Sequence, residues 1–303
     1  MASLNSEPQV NVASPLSQPS SQRVPRILRA IFRQLRHNLL ASLGTAIVVI
    51  FLLMAAIGPL LTPYTFDQLT SDIRQPPSWS HLFGTDNLGR DVFTRIVTGS
   101  RDIISLAGLG TAIAVILGTA LGLVVTYEGH WIEEITMRLM DSVLALPAGL
   151  LALLLLGAVG PSRESVLLVI IVVYIPIVAR VVRSVVLDVK TRGFVEAARM
   201  RGEKRFYILT REILPSVIPA LVVEASLRFS YGIFLVATLG FLGVGVQPPA
   251  PDWGLLVAQG RGYAVTAPWI LFYPCAAIAT LIVGVNLMSD GLKQILQTNT
   301  GRE

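Results

Sequence analysis

Five stretches free of Asp, Glu, Lys and Arg dictate the solvent of this chain: residues 39–61, 103–127, 142–162, 165–179 and 262–289. At about 1.5 Å of rise per residue, the 23 residues of the first stretch cover a hydrocarbon core about 30 Å thick. Composition agrees, since 53% of the 303 residues are hydrophobic and only 14% charged, against about 25% charged in soluble domains. The run at 39–61 exceeds the roughly 7–15 residues of a signal-peptide core, so it reads as a retained first span with its amino end in the cytoplasm. The fourth run is short, but it extends to Leu187 if Arg180 and Arg183 snorkel to a headgroup layer. A sixth span is read over 216–238, carrying Glu224 and Arg228. As one straight helix, 215–246 would reach about 47 Å. The stretch GFLGVGVQPP at 240–249 must therefore break it and continue as non-helical backbone tucked against protein.

Six spans place both termini on one side, and the charges test that. Under this topology 17 of the 24 Lys and Arg fall on the amino-terminal side and six on the other, with Arg228 inside a span. The positive-inside rule then makes the basic side cytoplasmic. The first 22 residues are rich in Ser, Gln and Pro and cannot bury enough apolar surface to order; Arg23, Arg26, Arg29, Arg33 and Arg36 follow. The chain divides into a disordered cytoplasmic tail (1–25), an amino-terminal segment with the first span (26–80), a core with five spans (81–296) and a short cytoplasmic tail (297–303).

The longest basic loop, 187–215, reads as two short helices. FVEAARMR at 194–201 is a good helix former, Gly202 supplies a left-handed stop, and a second helix starts at Glu203, presents Phe206, Leu209 and Ile213 on one face and is closed by Pro215. On pattern alone such a pair could equally lie on the membrane surface. A DNA-binding helix-turn-helix is disfavoured because both ends are tied into spans.

The loop resembles a specific motif. Glu196-Ala197-Ala198, three residues, Gly202, then Leu214-Pro215 twelve and thirteen positions after that glycine match the EAA loop of bacterial ABC importer permeases. One departure is Glu212, where the family carries an apolar residue. HLFGTDNLGRDVF at 81–93, FLGVGVQPPAPDWG at 241–254 and NLMSDGL at 286–292 narrow the resemblance to the C-type permease subunit of dipeptide, oligopeptide and nickel importers, over residues 27–296. The resemblance implies an all-α, six-span type I importer permease of the bacterial inner membrane. Glu196, Ala197, Ala198, Gly202, Leu214 and Pro215 would form the coupling loop that docks on an ATPase. It further implies a homologous B-type permease, two ATPase subunits that bind ATP and Mg, an extracytoplasmic solute-binding protein, and no cofactor on this chain. Peptides are the implied cargo, with a nickel chelate, opine, haem or glutathione as alternatives; a self-sufficient channel or secondary transporter is the competing class.

Other residues carry two readings each. Glu224 and Arg228, four apart on one helix face, form a structural ion pair or gate, or they touch substrate. Asp86, Arg90 and Asp91 hold a turn or face the binding protein. Ala114, Gly118 and Gly122 pack helices within the chain or between subunits. Pro147 and Pro176 bend spans around a pathway or are packing kinks, and Asp141 and Asp290 sit at span ends where headgroups or a cap solvate them. His37, His81 and His130 make no metal spacing, Cys275 has no partner, and no phosphate-binding GxxxxGK[ST] motif occurs, so the chain is read as having no ATPase site of its own and binding no nucleic acid.

Overall fold

The computed structural model describes residues 39–300, with side chains to residue 294. The amino-terminal tail, its five arginines and the last three residues lie outside the described residues. The chain is helical almost throughout, and no strand occurs among the described residues; an isolated bridge joins Thr85 to Asp91. The helices are α1 (Leu39–Leu61), α2 (Val92–Glu128), α3 (His130–Leu144), α4 (Ala148–Val159), α5 (Arg163–Val189), α6 (Gly193–Met200), α7 (Arg205–Tyr207), α8 (Leu214–Phe241), α9 (Trp253–Gly260) and α10 (Trp269–Thr300).

Among the described residues, five helices are long and apolar enough to cross a bilayer: α1, α2, α5, the continuous stretch Arg205–Phe241, and α10 over Trp269–Gln294. The expected third span is not one helix. It divides into α3 and α4, whose axes differ by 89°. Pro147 stands at the break with extended backbone (φ −54°, ψ 132°), which a proline ring favours and a helix cannot continue through. The 12 residues of α4 reach only about 18 Å, less than a hydrocarbon core, and α3 at a right angle to it adds little depth. Pro176 lies inside a helix that continues past it to Val189.

α3 buries none of its own residues and is held to α5 by charge. Arg183 Nε donates to Glu133 Oε1 at 2.6 Å, and Arg180 pairs with Asp141. The two arginines expected to snorkel are thus neutralised by acids from α3. Asp290 is exposed near the far end of α10.

α2 lies along α5 through its small residues. A Cβ on Gly118 would stand 2.8 Å from Val178 Cβ, and one on Gly122 2.8 Å from Val182 Cβ, both too close for any side chain. The Ala114–Gly118–Gly122 stripe is therefore internal packing, since bilayer helices approach by removing side-chain bulk. α1 packs against α10 and α2.

Two apolar clusters occupy opposite halves of the bundle. The larger contains Ile103, Ile170, Ile233, Leu239 and the wholly buried Trp253, whose indole donates to the Ile96 carbonyl at 2.9 Å. The smaller contains Leu123, Val182, Val186, Val195, Ala198, Ile208 and Ile213. It sits at the end where Arg180, Arg183, Lys190, Arg192, Arg199, Arg201 and Arg205 gather, called here the basic end. At the other end α8 stops at Phe241, residues 242–252 run as irregular backbone, and α9 packs between α2, α8 and α10.

Candidate functional site

The short helix α6 is anchored on one side and open on the other. Val195 and Ala198, three apart, are fully buried in the basic-end cluster, whereas Phe194, Glu196 and Met200 face outward. Ala197 is half-buried beside them. Gly202 ends the helix with φ +74°. Its amide donates to the Arg199 carbonyl at 3.0 Å and the Glu203 amide to the Ala198 carbonyl at 3.2 Å, the two-bond pattern of a Schellman stop. Glu196 has no side-chain hydrogen bond or ion pair among the described residues.

The second loop helix departs from expectation. Pro215 does not close it; the helix runs from Arg205 through to Phe241. A π-helical turn at Ile208–Ile213 makes this possible, with the Leu214 amide donating to the Leu209 carbonyl. The wider turn accommodates a proline that brings no N–H and would clash with a carbonyl in regular α geometry. It also shifts the register, so Ile208 and Ile213 point inward and Phe206 points out at 77% exposure. Leu214 is half-buried. Glu212, the departure from the motif, lies 3.5 Å from Arg201.

Phe194 and Met200 were not singled out in the sequence, and Phe206, expected on one face with Leu209 and Ile213, instead points away from the buried Ile213. Their signal was present, because each is an apolar residue off the buried face of a basic segment.

Three cations fasten this loop to the last turn of α2. Lys190 Nζ donates to the Thr126 carbonyl at 3.1 Å, Arg205 Nη1 lies 2.5 Å from Glu128 Oε1, and the Arg199 guanidinium stands 5.1 Å from the Tyr127 ring centre. The carbonyl end of a helix carries partial negative charge, so cations are favoured there. The loop is thus tied to α2, and through the π turn it is continuous with α8.

Within α8, Arg228 Nε approaches Glu224 Oε1 to 2.8 Å, both side chains being mostly covered. The guanidinium also faces the rings of Tyr231 at 4.9 Å and Tyr174 at 5.7 Å.

At the opposite end, Asp86, Arg90 and Asp91 are buried and hold the turn. The Asp86 carboxylate accepts from the Leu88 and Arg90 amides, from Arg90 Nε at 2.7 Å and from Arg95 Nη1 at 2.9 Å. Asp91 caps α2 through the Thr94 amide and meets His81 at 2.9 Å. Arg90 reaches Gln259 on α9, and the Trp269 indole donates to the Thr85 carbonyl.

Asp252, which caps α9 through the Leu255 amide, is fully buried with one carboxylate oxygen unpartnered. Burial first, and the charge of Asp102 second, push its carboxyl up to about 6 against the Leu255 amide. A folded-state value above the unfolded 3.8 means the folded chain holds this proton more tightly. Its contribution to stability is present at low pH and is lost as pH rises from about 4 to about 6. Asp252→Asn should flatten the dependence of melting temperature on pH across that window, leaving the cap intact through the side-chain oxygen.

Residues 110–301 match the family model described as binding-protein-dependent transport system inner membrane component. The chain belongs to that family. Residues 27–77 match a second model, the N-terminal TM domain of oligopeptide transport permease C. Among relatives of this permease, a dipeptide transport system permease protein of Alkalihalophilus pseudofirmus is 39% identical, with 88% of each chain covered. A glutathione transport system permease protein of Escherichia coli is 33% identical over 94% of each chain. A chain of the methionine ABC transporter solved in inward-facing conformations superposes with a TM-score of 0.54 at 20% identity, covering 67% of this chain and 95% of that one. The fold is thus the type I importer permease fold, and the chain is a multi-pass membrane permease.

Proposed function

We propose that this chain supplies half of a pathway for di- or oligopeptides in an ATP-driven importer. The basic end faces the cytoplasm with both termini. A homologous B-type permease supplies the other half, two ATPase subunits carry ATP and Mg, and an extracytoplasmic solute-binding protein delivers the cargo. No cofactor resides on this chain.

The observation that carries this reading is the two-sided character of α6. Its inner face is locked into the bundle by Val195 and Ala198, while Phe194, Glu196 and Met200 stand exposed, covered by none of the described residues. A helix built this way suits docking in a groove of a moving partner. Closure of the ATPases on ATP would push α6, the cation contacts and π turn would carry the push to α2 and α8, and the spans would rock from inward-facing to outward-facing access.

Glutathione as cargo is the second reading, favoured by the 33% identical glutathione permease. Proteoliposomes test both. With partner permease, ATPases and binding protein, a labelled dipeptide should accumulate only with ATP; accumulation by this chain alone without ATP contradicts the proposal, and accumulation of glutathione but not dipeptides selects the second cargo.

A further inference from the structure

The pair inside α8 is incompletely satisfied. Glu224 Oε1 and Arg228 Nε approach to 2.8 Å, yet neither atom takes part in an aligned hydrogen bond, although both are shielded from solvent. A purely structural pair at this depth is expected to saturate its hydrogen bonds, because the bilayer offers no replacement.

One turn on, Tyr231 is 55% exposed, and Phe234 and Phe241 continue the exposed side of α8 beside the covered pair. A charged pair inside a span belongs against protein or water, since charge against hydrocarbon is strongly disfavoured. The rings of Tyr231 and Tyr174 hold the guanidinium by its faces, leaving its edges to donate.

We propose that Glu224 and Arg228 read the two charged ends of a short peptide in the membrane, Arg228 taking the carboxylate and Glu224 the ammonium. The inference rests on the peptide reading above. The Cα atoms of residues four apart are offset by about 6 Å along a helix, so side chains parted from their 2.8 Å contact can meet the two ends of an extended dipeptide, which spans at most about 7 Å. A zwitterion exchanges one ion pair for two, so no charge is left uncompensated while it passes. A tetrapeptide, about 14 Å long when extended, cannot satisfy both groups at once, and a peptide with acetylated and amidated ends satisfies neither.

Equilibrium binding of radiolabelled glycyl-leucine to the assembled complex in nanodiscs, without binding protein or ATP, tests this. The native complex should bind the free dipeptide in preference to its doubly blocked form and to a tetrapeptide. Arg228→Gln and Glu224→Gln should each weaken the free dipeptide by about tenfold or more while leaving the blocked form unchanged. Should a single variant fail to assemble, the exchange variant Glu224→Arg/Arg228→Glu keeps the pair and must still prefer the free dipeptide. Absence of saturable binding, or no preference for free over blocked peptide in the native or the exchanged complex, overturns the inference. ATP-driven dipeptide uptake measured in the same preparations separates the two levels: uptake without any such preference removes the role of the pair and leaves the importer, whereas no uptake by the native complex removes the importer reading itself.

Discussion

In the assembled complex, Gly202→Pro and Glu196→Arg should each reduce stimulated ATP hydrolysis to its basal level while leaving membrane insertion intact. Gly202 holds φ +74° with both bonds of a Schellman stop around it. Proline fixes φ near −65° and has no N–H to give the Arg199 carbonyl, so α6 must lose its end and its angle to the next helix. Gly202→Ala is the graded control, because nothing crowds a Cβ there and left-handed backbone costs an alanine only about 1–2 kcal/mol. It should retain partial stimulation. Glu196→Arg breaks no side-chain contact among the described residues, so its effect is expected at the partner surface. Stimulated turnover at the native rate in both variants removes α6 from the mechanism.

The second large effect lies at the opposite end. Asp86→Ala leaves Arg90 and Arg95 buried without their shared carboxylate, and removing one partner of a buried ion pair costs about 3–5 kcal/mol. The melting temperature of the detergent-solubilised protein should fall sharply. Asp72→Asn is the contrast: Asp72 is 54% exposed and 3.8 Å from His81, so its loss should stay within about 0.5 kcal/mol. Similar melting temperatures for the two variants contradict the buried network.

Much of the architecture was legible because a bilayer enforces length and the exclusion of charge, and both can be counted in the sequence. A bend at Pro147 was among the readings of that proline, but its 89° size was not legible, because α4 and the end of α3 form one uncharged run and only the direction of the backbone separates them. Pro215 misled for a related reason. A proline predicts a stop when helices are assumed regular, whereas the π turn before it removes the conflict. Asp86, Arg90 and Asp91 fit a turn or a contact surface equally well on spacing. Their burial is decided by Gln259 and Trp269, about 170 residues further along, which no local pattern could reveal. The short helix α6 was legible from its motif, but its exposed Phe194 and Met200 emerged only when Val195 and Ala198 were seen to face the core.

Cross-linking tests most directly whether α6 meets a nucleotide-driven partner on the cytoplasmic side. In a Cys275→Ser background, Met200→Cys should cross-link to a cysteine placed on the ATPase subunit, with a yield that changes on adding ATP. Labelling of Met200→Cys in intact cells by an impermeant reagent, without any cross-link to the ATPase, would contradict both the orientation and the role of the helix.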